Sequence, residues 1–343
     1  MTTQQDFRTM PTPAARATGL TADGVPGPRE HLTSPRTQAV LKIQQALVAG
    51  ARELLSSEGA AELFQPLIGP VTDPGARGAK QVDVDYYGHQ YKLMASAILY
   101  KQTSLVAFDK VFFIAPNVRL EPLETSSTHR HLAEFHQIDV EFAGASRDDA
   151  IALAERVVRQ AVRKALATQE DALRLVGRDT AKLSALVEQP FEVLTHAEVL
   201  DRLGHPHDPG TEIGWEAEEL ISGHAEAPFF IVDYPKGSRG FYDKEDPARP
   251  STLMSFDLIA PEYCGEICSG GERESEYAKI VTRMRETGEN PAKYGWYLDV
   301  VRQGIPGSAG FGIGLERLTR WVAGLDSVWQ ASAYPKLPGV VSP

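Results

Sequence analysis

The sequence predicts an α+β fold, a mostly antiparallel sheet flanked by helices. Two observations carry that expectation. Short apolar or alternating segments, "KVFFIAPNVRLE", "AEFHQIDVEF", "PFFIVDYP", "STLMSFDLIA" and "GEICSG", follow one another with few crossover helices between them, and parallel sheets need such crossovers. Two long stretches with helical spacing of apolar residues, about 36–58 and 147–168, supply flanking layers.

Taken in order, residues 1–34 are rich in Pro, Gly, Thr and Ala without apolar periodicity and read as a mobile tail, leaving 35–343 as one catalytic-sized domain. The first helix carries Val40, Ile43, Leu47, Leu54 and Leu55 on one stripe and ends near Gly59. "QPLIGPVTDPGARGAK" is broken by three prolines and reads as a strand entry and loop. In "AEFHQIDVEF" alternation sends Ile138, Val140 and Phe142 to one face and Phe135, Gln137, Asp139 and Glu141 to the other. The preceding segment places Asn117, Arg119 and Glu121 on the matching polar side, so the two form a hairpin. Its polar face is either solvated or a grip for a nucleotide, ring on base and guanidinium on phosphate. In "SAGFGIGLERLTRWVAGL" Gly310, Gly312 and Gly314 alternate, clearing one strand face before a helix with Arg317 in its first turn. Neither the dinucleotide fingerprint nor a P-loop is present. In "FDLIAPEYCGEICSGGERE", Asp257, Glu266 and Glu272 are either Mg²⁺-bridging carboxylates at a phosphate site or a salt-bridged strand pair.

Composition narrows the classes. The chain of 343 residues is 42% hydrophobic and 24% charged, with net charge −11; the acidic balance leans away from nucleic acid. No apolar run of 18 residues predicts a membrane span, and the N-terminus lacks the order of a secretory signal. Two cysteines, Cys264 and Cys268, lack the second pair of a zinc site, so a cytoplasmic location is expected. His129 and His131 fall in the hairpin connection and His136 on the apolar face, which argues against a histidine metal site; "HPH" at 205–207 reads as a surface turn.

Together and in this order, these stretches resemble the three signature motifs of class II aminoacyl-tRNA synthetases, in the aspartyl/asparaginyl subgroup. The first helix with "ELFQPLIGP" is similar to motif 1, "VRLE…THRHLAEFHQIDVE" to motif 2 and "GFGIGLER" to motif 3, while "FIVDYPKGSRGFY" and "GEICSGGER" match intervening segments. The resemblance covers about residues 36–335 and implies the class II sheet, ATP and Mg²⁺ as cofactors, and a homodimer built on the first helix. It implies Arg119 and Arg317 as the catalytic arginines on the α- and γ-phosphates, Phe135 stacking on adenine with Glu121 beside it, His131 at the outer phosphates and Gly314 in the nucleotide floor. It further implies Lys101 and Arg273 on a side-chain carboxylate of aspartate, and Asp139 on the α-amino group. Gln137 and Ser308 fall in the same amino-acid half, and Asp257, Glu266 and Ser269 would hold Mg²⁺.

Departures from the subgroup shape the functional expectation. Only about 35 irregular residues stand before motif 1, so an anticodon-binding barrel is not expected; Ile98 stands where a glutamine is expected, and Ser308 where a histidine is. The acidic-glycine stretch reads "PGARGAKQVDVD". The expectation is therefore an AMP-forming ligase that activates aspartate or an analogue and passes the acyl group to ammonia or another amine. It resembles stand-alone synthetase-like asparagine synthetases, and tRNA is not expected as a partner. The alternative is a paralogue that aminoacylates tRNA or an RNA-like partner through a basic stripe of Arg156, Arg159, Arg163 and Lys164.

Overall fold

Alternation along residues 133–142 demands two different environments, and the computed structural model supplies both. It describes residues 25–73, 79–204 and 212–340; the expected tail up to residue 24, the loop residues 74–78 and the 205–207 turn lie outside them. The strands are β1 Ala61–Glu62, β2 Ile68–Gly69, β3 Asp83–Tyr86, β4 His89–Leu93, β5 Lys110–Val118, β6 Glu134–Ala143, β7 Glu192–Thr195, β8 Phe229–Val232, β9 Ser255–Ala260, β10 Gly265–Arg273 and β11 Ser308–Gly314. Eight form one sheet in the order β1-β5-β6-β11-β10-β9-β8-β7, and β2-β4-β3 form a small second one. Only the outer pairs β1–β5 and β7–β8 of the large sheet are parallel. The expected hairpin is β5–β6, antiparallel through nine pairs from Lys110↔Phe142 to Val118↔Glu134.

One face of this sheet is covered by the helices Pro35–Ser57 and Arg147–Thr168. Ile138, Val140 and Phe142 enter that core with Phe311 and Ile313 of β11. Ser34 caps the first helix, and Ser146 with Asp149 forms a capping box on the second, which satisfies N–H groups at their starts. The two helices cross at Gly50, where an added Cβ would lie 2.8 Å from Gln160 O and 2.9 Å from Ala161 Cα. The small residues Ala46, Gly50 and Ala51 thus serve an intrachain crossing.

This corrects the expected use of the first helix. Val40, Ile43, Leu47 and Leu55 are buried within their own chain, so the stripe is core and not a free face for a second copy. The expected tail also ends earlier: Pro28–Thr33 is a helix whose buried His31 bonds Ser332 O through Nε2 at 2.8 Å and packs 5.6 Å from the Trp329 ring. Four further helices lie between residues 170 and 224: Glu170–Leu175 and Thr180–Glu188 pack on the two long helices, His196–Leu203 on β7 and β8, and Trp215–His224 on β9 and β10. Among the described residues no helix is long and apolar enough to cross a membrane.

Candidate active site

The opposite face of β6, β11 and β10 floors a cleft of about 250 Å³. Ten of the expected site residues line it: Lys101, Arg119, Glu121, His131, Gln137, Asp139, Glu266, Ser269, Arg273 and Arg317. Phe135 and Gly314 line the adjoining pocket. Asp257 and Ser308 line neither.

At one end the cleft is cationic. Arg119 donates from Nε to Ala95 O at 2.9 Å and lies 5.1 Å from the Phe135 ring centroid. Arg317 donates from Nε to Arg130 O at 3.2 Å, and its Nη1 lies 3.3 Å from Glu266 Oε1. Both guanidiniums are held largely by backbone carbonyls, so positive charge remains available to an anion. His131 sits among them with Nδ1 2.5 Å from Thr128 Oγ1. Burial, then Arg317, Arg130 and Arg119, push its pKa down to about 3, so the ring is neutral at physiological pH. Burial also raises the Glu121 carboxyl, with Arg119 and Arg317 opposing.

The other end is already charge-paired. Lys101 Nζ donates to Asp139 Oδ1 at 2.9 Å and Phe311 O at 3.1 Å, and lies 3.6 Å from Glu141 Oε2. Arg273 reaches Glu141 at 3.2 Å, Asp243 at 3.0 Å and Gly310 O at 2.9 Å. All five side chains are buried, which sets two cations against three carboxylates. Asp139 Oδ2 has no hydrogen-bond partner among the described residues.

Several expected roles change here. Ser308 is buried and donates to Glu141 Oε1 at 2.9 Å, so it braces Glu141 instead of meeting a substrate. The glycine face is only partly open: a Cβ at Gly310 would fall 2.1 Å from Glu141 Oε2, and one at Gly312 2.9 Å from Asp139 Oδ1. Those two glycines make room for the chain's own carboxylates, while Gly314 faces the nucleotide pocket. Asp257, Glu266 and Ser269 do not converge as metal ligands. Arg239 spans Asp257 at 2.6 and 2.9 Å and Ser269 Oγ at 3.0 Å, and Glu266 faces Arg317. No group of three or more His, Cys, Asp or Glu could hold a metal ion among the described residues. The basic stripe is neutralised, with Arg156 on Glu58, Arg159 on Glu155, Arg163 on Glu188 and Lys164 on Glu53.

Sequence reasoning assigned no role to Arg130, Arg239, Glu141 or Asp243. Glu141 was placed on the correct face by alternation, and Arg239 lies in "PKGSRGFY". Their partners are 18 to 167 residues away in sequence, beyond any local signal.

A cationic end and a buried, charge-paired end thus share one sheet face, and the comparisons with known proteins give the class to which they belong, an ATP-dependent, adenylate-forming ligase of the class II type. Residues 30–338 match the family described as tRNA synthetases class II (D, K and N), and the chain belongs to that family. It is 35% identical over 316 residues to the asparagine–tRNA ligase of Thermococcus kodakarensis, covering 91% of this chain and 72% of that one. To the asparagine–tRNA ligase of Lactobacillus delbrueckii it is 32% identical over 315 residues. The crystal structure of asparaginyl-tRNA synthetase from Pyrococcus horikoshii complexed with asparaginyl-adenylate superposes with a TM-score of 0.86 at 32% identity, over 92% of this chain and 72% of that one. These relatives overturn the expectation that tRNA is not a partner, because the proteins most of this chain aligns with are named for tRNA. They lend no support to a stand-alone asparagine synthetase.

Proposed function

We propose that the chain joins asparagine to ATP as an asparaginyl-adenylate and transfers the acyl group to tRNA. The observation that carries the choice of amino acid is the pairing of Lys101 and Arg273 with Asp139, Glu141 and Asp243. A second carboxylate brought by aspartate would enter a buried pocket that already holds more negative than positive groups. An uncompensated buried charge is strongly unfavourable. A neutral amide can donate to Glu141 or accept from Arg273, and the free Oδ2 of Asp139 suits an α-ammonium. The relatives' printed names point to the same amino acid.

The reaction follows from the two compartments. The α-carboxylate attacks the α-phosphorus of ATP in line, the bond from the α-phosphorus to the α,β-bridging oxygen breaks, and pyrophosphate leaves. Arg119 stabilises charge developing on the α-phosphate and Arg317 holds the outer phosphates, with Phe135 and Glu121 positioning adenine. Magnesium carried in with ATP would supply positive charge at the phosphates, and Glu266 and Ser269 line the cleft where its oxygen donors would be needed. A hydroxyl of the terminal tRNA ribose then takes the acyl group and AMP is released. A cytoplasmic homodimer belongs to the same proposal; sedimentation of the purified chain tests the dimer, which must use surface other than the buried stripe.

The test is charging. Incubation with ATP, Mg²⁺, radiolabelled asparagine and total tRNA is expected to give acid-precipitable label that ribonuclease releases. Robust pyrophosphate exchange with no label on any tRNA would refute the transfer step.

A further inference from the structure

We infer that Glu218, in helix Trp215–His224, is a positioning residue for the nucleotide site. It acts through Arg130, which it holds away from Glu266. This rests on the adenylate-forming reading and adds to it a part of the chain outside the three motifs.

Arg130 and Glu218 leave only 4% and 6% of their surface exposed, and Arg130 Nη2 lies 2.7 Å from Glu218 Oε2. A buried guanidinium requires a nearby anion, and this one has three within its field, Glu218, Glu266 and Glu219, of which Glu218 makes the ion pair. Glu266 is already engaged with Arg317. Glu218 therefore decides which carboxylate Arg130 uses.

The surroundings are built to keep that choice. Helix Trp215–His224 sits flush on the β9–β10 turn: Ser222 Oγ donates to Ala260 O at 2.5 Å and accepts from Gly265 N at 2.9 Å. A Cβ at Gly223 would overlap Tyr263. Gly265 has φ +69°, and a Cβ there would come within 2.9 Å of the Arg130 guanidinium, so glycine is required on both counts. Glu266 follows directly. Arg130 in turn presents its carbonyl to Arg317 Nε at 3.2 Å and precedes His131 in the chain. A shift of the Arg130 side chain toward Glu266 would compete with Arg317 and move the carbonyl that aims it.

Glu218→Gln keeps the shape and removes the charge. It is expected to weaken ATP binding by about tenfold or more, while the KM for the amino acid changes less than twofold. Removing both charges, with Arg130→Met and Glu218→Leu together, takes away the competitor for Glu266 and is expected to bring the ATP Kd back to within about threefold of the parent. The readout is calorimetric titration of the full chain with ATP and Mg²⁺, without amino acid or tRNA, alongside thermal melts. The inference is overturned if folded Glu218→Gln binds ATP as the parent does. It is equally overturned if the double variant, whose fold does not depend on the single variant's, binds no better than Glu218→Gln or, where that does not fold, remains tenfold weaker than the parent. Failure of the parent itself to bind ATP would instead sink the adenylation reading.

Discussion

Arg119→Ala is expected to slow adenylate formation by about 10²–10³-fold, the usual loss when one preorganised donor to developing charge is removed. The fold is expected to survive, because the Arg119 side chain makes one hydrogen bond, to Ala95 O, and otherwise lies over the Phe135 ring. Its neighbour His131 is neutral and cannot replace the charge. Arg317 is fixed to Arg130 O and Glu266 and cannot move over to serve the α-phosphate without breaking both contacts. Single-turnover formation of AMP-linked product at saturating ATP measures the effect. A loss of less than tenfold would mean that Arg119 is not the α-phosphate group.

Leu47→Asp is expected to abolish folding. Leu47 has no exposed surface and belongs to the core shared by the Pro35–Ser57 and Arg147–Thr168 helices and the sheet. Truncating such a leucine costs about 2–5 kcal/mol, and placing an unpaired carboxylate there adds several more. The sum rivals the roughly 5–15 kcal/mol stability of a typical domain. Circular dichroism is expected to show an unfolded or aggregated chain. A folded, monomeric Leu47→Asp protein would restore the stripe to the role that the sequence suggested, a contact with a second copy.

That contrast marks where the sequence was legible. The hairpin β5–β6, the glycine strand β11 and the long helices announced themselves because side-chain period and turn chemistry are local properties. The polar face of β6 was located correctly, and Gln137 and Asp139 line the cleft. What a residue on that face touches is not local. Lys101 finds Asp139 across 38 residues and Arg273 finds Glu141 across 132, so the pocket's surplus of carboxylates could not be read from either segment. An apolar stripe likewise reads the same whether its own sheet or a partner covers it; Gly50 against Ala161 settles the matter only in three dimensions. The short helices at 28–33 and between 170 and 224 lacked the length that makes periodicity visible.

A charge-paired pocket is expected to select a neutral side chain, and amino-acid-dependent exchange of labelled pyrophosphate into ATP tests that selection most directly. Asparagine and aspartate would be compared side by side at equal enzyme, ATP and Mg²⁺. The pairing of Lys101 and Arg273 with Asp139, Glu141 and Asp243 predicts exchange with asparagine at least about 10²-fold more efficient in kcat/KM, the penalty of about 3 kcal/mol for one unpaired buried carboxylate. Equal exchange with both, or a preference for aspartate, would contradict it.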